Sequence, residues 1–116
     1  MKRDMDLVRK ILLQSEQDRD MEKLNNEYGQ EKVAGHIAIL VDADLVKGAV
    51  AMGSEGRPVA AEIIRLTWAG HEFLDNARNE TVWCKVKNAL KEKSISVSFD
   101  IISSLLKSLV STSVGL

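Results

Sequence analysis

Cysteine is scarce in this 116-residue chain, where Cys84 is the single example. One cysteine cannot form a disulfide within the chain, so we expect a reduced, cytoplasmic setting. Proline also occurs once, and the aromatic residues are two tryptophans, two phenylalanines and one tyrosine. The core must therefore consist mainly of leucine, isoleucine, valine and alanine, without support from disulfides.

The chain also lacks long apolar runs, and neither positive nor negative charge is in large excess. No segment approaches the roughly 20 apolar residues of a transmembrane helix, and no apolar stretch of a signal peptide follows the opening MKRDMD. We therefore expect no association with a membrane. The 16 basic and 17 acidic residues give a formal net charge of −1, whereas nucleic-acid-binding domains usually carry a basic excess. The overall charge gives no support to DNA binding.

Residues suited to catalysis or metal binding are also few. His36 and His71 are the only histidines, whereas a zinc site needs three or four protein ligands. We therefore expect no catalytic residues, no metal, no cofactor and no enzymatic activity. We interpret Cys84 as a small core residue beside Trp83, because a free cysteine is commonly buried. Both tryptophans, Trp68 and Trp83, are expected to anchor the core.

Apolar periodicity predicts two helices in the first part of the chain. Asp4 can cap the first, in which apolar residues recur at helical spacing. Residues 18–28 are polar and rich in acids, so we predict a loop with at most one turn or a short strand at 21–24. Gly29 breaks the chain direction, and helical spacing returns over residues 30–42. The second helix of a helix-turn-helix is therefore expected to be shortened or absent.

A β-hairpin is predicted in the middle of the chain. Residues 46–52 and about 59–66 are rich in valine, isoleucine and alanine, which favours strands. The segment GSEGRP at 53–58 separates them and is typical of a turn. The two strands should therefore pair directly, with Arg57 near the tip.

Three further helices are predicted after the hairpin. Thr67 can cap the first, which should run to about residue 79, and Gly70 lies where it would let the hairpin pack closely. Thr81 can cap the next helix and Ser98 the last. The last helix carries a broad apolar stripe that needs a partner surface, either the protein's own core or a second copy of the chain. The stripe residues predicted to self-associate in a homodimer are Phe99, Ile102, Leu106 and Leu109.

The order of these elements indicates a mainly α-helical fold with a small β-hairpin, which is an α+β protein. The length suits a single domain over residues 1–116. Residues 1–66 would hold the first helices and the hairpin, and residues 67–116 the C-terminal helices.

Three ordered blocks carry a resemblance to a known family. They are MKRDMDLVRKILL, then RLTWAGHEFLDNAR, then TVWCKVK followed by SVSFDIISSLLKSL. Together they resemble an uncharacterised bacterial family known as domain of unknown function 2513, which is common in phages and prophages. In addition, VAGHIAILVDADLV looks like the recognition helix of a winged helix and its exit into the wing. The resemblance implies a winged-helix-like fold and a phage or prophage origin, and it implies no catalytic residues.

The outward side of the predicted helix 30–42 and the hairpin tip are the candidate contact surfaces. The residues expected to face outward on that helix are Gln30, Glu31, Lys32, Gly35, His36, Ile39 and Asp42. The candidate contacts with a partner protein or with DNA are Gln30, Glu31, Lys32, His36 and Arg57. Two acids against one lysine on the helix oppose contact with phosphates.

Two functions remain open at this level. One is a non-enzymatic, phage- or prophage-type protein that binds a host or phage protein, for example as an inhibitor of a host defence system. The alternative is a small dimeric winged-helix regulator that binds DNA through helix 30–42 and the hairpin. The acid-rich residues and the apolar C-terminal stripe favour the first.

Overall fold

Helices and one β-hairpin make up the fold, seen in a computed structural model that describes residues 2–93 and 102–108. Within these ranges the chain is mainly helical with a two-stranded antiparallel sheet, so the α+β prediction is confirmed. Contacts divide the chain into two compact units, Met1–His71 and Glu72–Leu116. The elements are α1 (Met5–Glu16), α2 (Glu22–Tyr28), α3 (Gln30–Asp42), β1 (Val46–Met52), β2 (Pro58–Leu66), α4 (Trp68–Ala77) and α5 (Glu80–Lys93), and residues 102–108 are also helical. None of the helices in the described part is long and apolar enough to cross a membrane.

Helix α1 begins and packs as predicted. Asp4 has an extended backbone, and its Oδ1 accepts a hydrogen bond from the amide of Leu7 at 3.2 Å. This cap satisfies one of the amides that a helix leaves unpaired at its start. The residues that α1 buries are Leu7, Val8, Ile11 and Leu12.

Helix α2 corrects the prediction of a loop at residues 18–28. Its only buried residue is Leu24, so its apolar face is too narrow for periodicity to detect. Tertiary contacts hold it instead, because the Nζ of Lys10 on α1 donates to the hydroxyl of Tyr28 at 2.9 Å and to Glu27 at 3.2 Å. The second helix, which was expected to be shortened or absent, is therefore present and has seven residues.

Helix α3 is the central element of the first unit, with the bounds that the sequence predicted. It packs against α1, α2 and both strands. Because it has neighbours on several sides, its buried surface is wider than one apolar stripe. The residues it buries are Val33, Ala34, Gly35, His36, Ile37 and Leu40. The prediction that Gly35 and His36 face outward was therefore wrong.

The hairpin has the predicted strands and a bulged second strand. β1 runs antiparallel to β2, from Val46 opposite Leu66 to Met52 opposite Pro58. The register shifts twice, and each shift leaves one residue of β2, Ile64 or Val59, without an opposite residue on β1. A bulge turns the side chain of the extra residue in a new direction. Both extra residues are apolar and exposed, Ile64 to 74% and Val59 to 37%.

The junction between β2 and α4 is built as the sequence predicted. The Thr67 hydroxyl accepts from the amide of Gly70 at 3.0 Å and donates to the carbonyl of Asp44 at 2.6 Å. The same threonine's amide donates to the carbonyl of Leu45 at 3.0 Å. A Cβ on Gly70 would collide with that Leu45 carbonyl oxygen. Only glycine therefore allows α4 to start this close to the entry into β1.

The second unit confirms one tryptophan prediction and corrects two neighbouring ones. Trp83 is buried and meets Phe73 edge to face, with ring centroids 6.5 Å apart and an angle of 80° between the planes. Cys84, predicted to be buried beside it, is exposed. Asn79, and not Thr81, caps α5, because its Oδ1 accepts from the amide of Val82 at 3.0 Å.

Trp68 and the C-terminal stripe also depart from expectation. Trp68, at the start of α4 in the first unit, is 80% exposed and so does not anchor the core. Ile102 and Leu106 are buried within the single chain, at 1% and 0% exposure. They are therefore not available as a self-association surface, and the intramolecular alternative holds for them. Phe99 and Leu109 lie outside the described residues.

Candidate functional site

The contact residues predicted from the sequence do not form one surface. Gln30 and Glu31 are exposed at the start of α3, whereas Lys32 is half-buried and His36 is fully buried. Arg57 lies in the hairpin turn, and the side-chain amide of Gln30 donates to the carbonyl of Val59 on β2 at 3.4 Å.

Lys32 is held by intramolecular contacts. Its Nζ lies 3.4 Å from Oδ2 of Asp4, the residue that caps α1. It also lies 5.2 Å from the ring centroid of Tyr28, and Lys10 approaches the same ring at 5.1 Å. Cation–π and hydrogen-bond contacts thus join α1, α2 and α3 at this point. The Tyr28 hydroxyl and the Glu27 carboxylate raise the pKa of Lys10 above 10.5.

His36 joins α3 to the start of α1. The backbone amide of Asp4 donates to its Nε2 at 2.8 Å. An amide can only donate, so Nε2 carries no proton and the neutral ring holds its proton on Nδ1. Nδ1 lies 2.8 Å from the carbonyl of Lys32 and donates to it. Both ring nitrogens are therefore engaged inside the fold, and the residue that was predicted to contact a partner has a structural role.

The hairpin tip presents a charge pair and not an isolated cation. Nε of Arg57 lies 3.8 Å from Oε2 of Glu55, and both side chains are more than three-quarters exposed. The turn is closed by the amide of Gly53, which donates to the carbonyl of Arg57 at 2.7 Å, while Gly56 adopts a φ of 74°. The tip is thus a defined turn whose arginine is close to a carboxylate.

A polar cleft of about 740 Å³, called the acidic cleft below, lies beside β2 in the first unit. This volume is within the range of small-molecule and peptide sites. No residue that lines the cleft is buried. The lining residues are Ser15, Asp18, Arg19, Asp20, Met21, Glu22, Asn25, Asn26, Gln30, Ala61, Glu62, Ile63 and Ile64.

One wall of this acidic cleft is the connection between α1 and α2. Asp18 has a φ of 54°, a left-handed conformation that ends a helix. The amide of Arg19 then donates to the carbonyl of Gln14 at 2.9 Å, as in a Schellman motif. Oδ1 of Asp20 accepts from the amide of Glu22 at 3.1 Å, where α2 starts. Backbone geometry therefore fixes the position of the acid-rich segment.

The opposite wall is the outer edge of β2. Ala61–Ile64 line the cleft, and no residue of β1 does. Ala61, Glu62 and Ile63 come before the bulged Ile64, and their side chains should alternate between the two faces of the sheet. A cavity that all three residues line therefore runs along the strand's edge. In the described part of the chain β2 pairs with β1 alone. The acidic cleft therefore opens onto the unpaired edge of the sheet.

Charge in the acidic cleft is strongly one-sided. Among the described residues that line it, four are carboxylates (Asp18, Asp20, Glu22 and Glu62) and one, Arg19, is a cation. Concave surfaces lined by charge of one sign focus the electrostatic potential. Such a surface attracts a positively charged partner and repels phosphate.

Other kinds of chemistry would need a metal-binding group or a nucleophile in a suitable setting. Among the side chains that the structure describes, no group of three or more histidine, cysteine or acidic residues is placed to hold a metal ion. Cys84 is exposed on α5. The arrangement that stands out chemically is the acidic cleft.

The acid-rich segment before α3 was evident in the sequence, but the cleft was not. The wall that the sequence did not reveal is the strand PVAAEIIRL, which carries a lone carboxylate, Glu62. An exposed acid in such a strand indicates which face or edge meets water. That signal could have identified Glu62, but only the tertiary structure places it across from Asp20.

Two comparisons relate the chain to known proteins. The family model described as "Hypothetical protein (DUF2513)" matches residues 2–96. An "Uncharacterized protein" of Haemophilus influenzae is 33% identical over 116 aligned residues, which cover 96% of this chain and 97% of the relative. No solved structure matches the chain significantly. Because the family model spans most of its length, this protein belongs to the DUF2513 family.

Proposed function

We propose that this protein is a non-enzymatic binding protein that recognises another protein through the acidic cleft. The observation that carries the proposal is the concentration of four carboxylates and one arginine around a concave, backbone-defined site. The resemblance in sequence to phage and prophage proteins favours a host or phage protein as the target, in the bacterial cytoplasm. Inhibition of a host defence system is one activity of this kind.

The state of the cationic residues favours a protein over DNA. Lys32 is engaged with Asp4 and Tyr28, and Arg57 lies next to Glu55. Contacts with phosphate would have to compete with these carboxylates, and the counterion-release term that dominates DNA affinity would be small. A basic segment of a protein meets no such opposition at the acidic cleft.

DNA binding is the second candidate, and helix α2 supports it. Three helices followed by a hairpin are the order of a minimal winged helix, in which the third helix enters the major groove. In that mode Gln30, Glu31 and Lys32 on α3 would approach the bases, and Arg57 would reach the backbone from the wing. A dimer would use a surface other than Ile102 and Leu106.

Site-specific photocrosslinking in bacterial cells tests the first proposal. A photoreactive amino acid replaces Asn26, which lines the acidic cleft, or Asp42, an exposed residue of α3 outside it. We expect protein adducts from position 26 and none from position 42. The same pattern of adducts at both positions, or no adducts at either, would overturn the proposal.

A mobility-shift assay with the DNA upstream of the protein's own gene, at low salt, separates the two candidates. We expect no shift with folded protein. A shift that disappears in Arg57→Ala would instead establish the DNA-binding alternative, because the phosphate contact of the wing would be lost.

A further inference from the structure

We propose that the acidic cleft binds its partner as an added β-strand, namely an extended, lysine- or arginine-bearing segment that pairs with the outer edge of β2. The inference rests on the proposed function and specifies the mode of binding and the chemistry of the partner. It follows from three features: a strand edge that no other described strand pairs with, a cleft of about 740 Å³ along it, and the charge of that cleft.

The first feature is the strand edge. β2 is hydrogen-bonded to β1 on one side, and in the described part of the chain no other strand pairs with it. Ala61–Ile64 present the other side to the acidic cleft. An open strand edge offers a row of backbone donors and acceptors that match an extended peptide.

The second feature is the space beside that edge. Four strand residues span roughly 13 Å. The cleft volume of about 740 Å³ extends along them, up to the turn at Asp18–Glu22 on the other side. That turn is held by a Schellman motif and by the Asp20 bond to the start of α2, and its residues do not pair with β2. Among the described residues, therefore, no strand occupies the space beside this edge.

The third feature selects the occupant. Glu62 lies on the strand itself, and Asp18, Asp20 and Glu22 face it across the acidic cleft. Oppositely charged side chains on neighbouring strands stabilise each other, so a basic strand is favoured over a neutral or acidic one. Ile64, which the bulge leaves 74% exposed, adds an apolar contact at one end. A segment that alternates cationic and β-branched residues fits this combination.

Binding of a defined peptide tests charge selection. A short fluorescent peptide of alternating lysine and valine is titrated with the full chain, with fluorescence anisotropy as the readout. We expect saturable binding that weakens with salt and becomes about tenfold weaker in Glu62→Lys. Asp42→Lys, which places the same charge change outside the cleft, should bind like the wild type. Equal losses in both variants would indicate a general charge effect and overturn the proposal.

A modified peptide tests the backbone pairing without any risk to folding of the protein. Methylation of alternate backbone nitrogens keeps every side chain and charge but removes the donors that face the strand. We expect about tenfold weaker binding when the methylated edge is the one that pairs. Hydrogen exchange of the Ala61–Ile64 amides should slow in the complex with the unmodified peptide. Unchanged affinity together with unchanged exchange would show that the peptide does not pair with β2.

The two proposals can fail separately. Crosslinks from position 26 to a protein, combined with no binding of the lysine–valine peptide, would leave a protein partner in place and reject strand addition. Peptide binding with slowed exchange at Ala61–Ile64 supports strand addition directly.

Discussion

Helix α3 buries six of its thirteen residues, whereas every residue that lines the acidic cleft beside it is exposed or half-buried. The buried polar residue of α3, His36, has partners within the chain at Asp4 and Lys32. Around the acidic cleft the described residues supply four carboxylates and one arginine, and no described strand other than β1 pairs with β2. The groups around His36 are paired within the chain, whereas the cleft is the surface that we propose for a partner.

The contrast separates stability from recognition. Burial of apolar surface contributes roughly 25 cal/mol per Å², so the interior around α3 should dominate the free energy of unfolding. Exposed carboxylates of like sign contribute little to that free energy and mainly affect what can bind. Substitutions in the two regions should therefore have different consequences, and the following predictions run from the largest effect on stability to the smallest.

Leu40→Ala should lower the free energy of unfolding by about 4 kcal/mol, because a fully buried side chain is lost and a cavity remains. Urea unfolding measures this loss. Ile39→Ala, at a half-buried neighbouring position, should cost much less. Similar losses at both positions would contradict the assignment of α3 as the centre of the core.

Gly70→Ala should cost about 3 kcal/mol, because its Cβ would collide with the Leu45 carbonyl and α4 would have to move away from the entry to β1. Thermal unfolding provides the measurement. Ala69→Ser, at the exposed preceding position, is the matched control and should change stability by less than about 0.5 kcal/mol. A tolerated alanine at position 70 would mean that the close approach is not required.

His36→Leu should cost about 2 kcal/mol, because the Asp4 amide and the Lys32 carbonyl would each lose the ring nitrogen that pairs with it. His36→Gln keeps an acceptor near the position of Nε2 and should recover part of the loss. If glutamine is no better than leucine in urea unfolding, the Asp4 bond does not contribute.

Lys10→Met should cost only about 0.5 kcal/mol, since the Lys10 side chain, whose ammonium pairs with Tyr28 and Glu27, is 41% exposed. The pKa of Lys10 is raised above 10.5 in the fold. Its contribution is therefore complete below pH 10.5 and is lost as the pH rises through the raised pKa. The difference in stability between wild type and variant should shrink at high salt and at strongly alkaline pH; a constant difference would argue against the ion pair.

Asp20→Asn should leave the free energy of unfolding within about 0.5 kcal/mol of the wild type, since the amide oxygen can still accept from the amide of Glu22. Binding of the lysine–valine peptide should nevertheless weaken. Unchanged stability with weaker peptide binding would support the view that the cleft carboxylates serve binding and not stability. A clear loss of stability would contradict it.

Local pattern was sufficient for most of the secondary structure. The bounds of α3 and β1, the cap at Asp4 and the junction at Thr67 and Gly70 follow from periodicity, capping chemistry and the special freedom of glycine. Each of these depends on residues close together in the chain. Helix α2 escaped prediction because a seven-residue helix with one buried residue has no detectable apolar period.

Burial was harder to predict than helix or strand. His36 was expected outside and lies inside, while Trp68 and Cys84 were expected inside and lie outside. A helix with neighbours on several sides buries polar residues that find partners there, as His36 does. The sequence of a helix alone does not determine which of its faces other elements pack against.

The sequence by itself determined the class of fold, the apolar stripes that build the core and the acidic character of residues 18–22, because these depend on composition and short-range spacing. Only the tertiary structure decided where the acidic cleft lies. Asp20 and Glu62 are distant in the chain and line one cleft because α3 packs against β2 and α2 packs against α3. The cleft arises from that packing, because it is the space between an acidic turn and a strand edge that no other described strand pairs with.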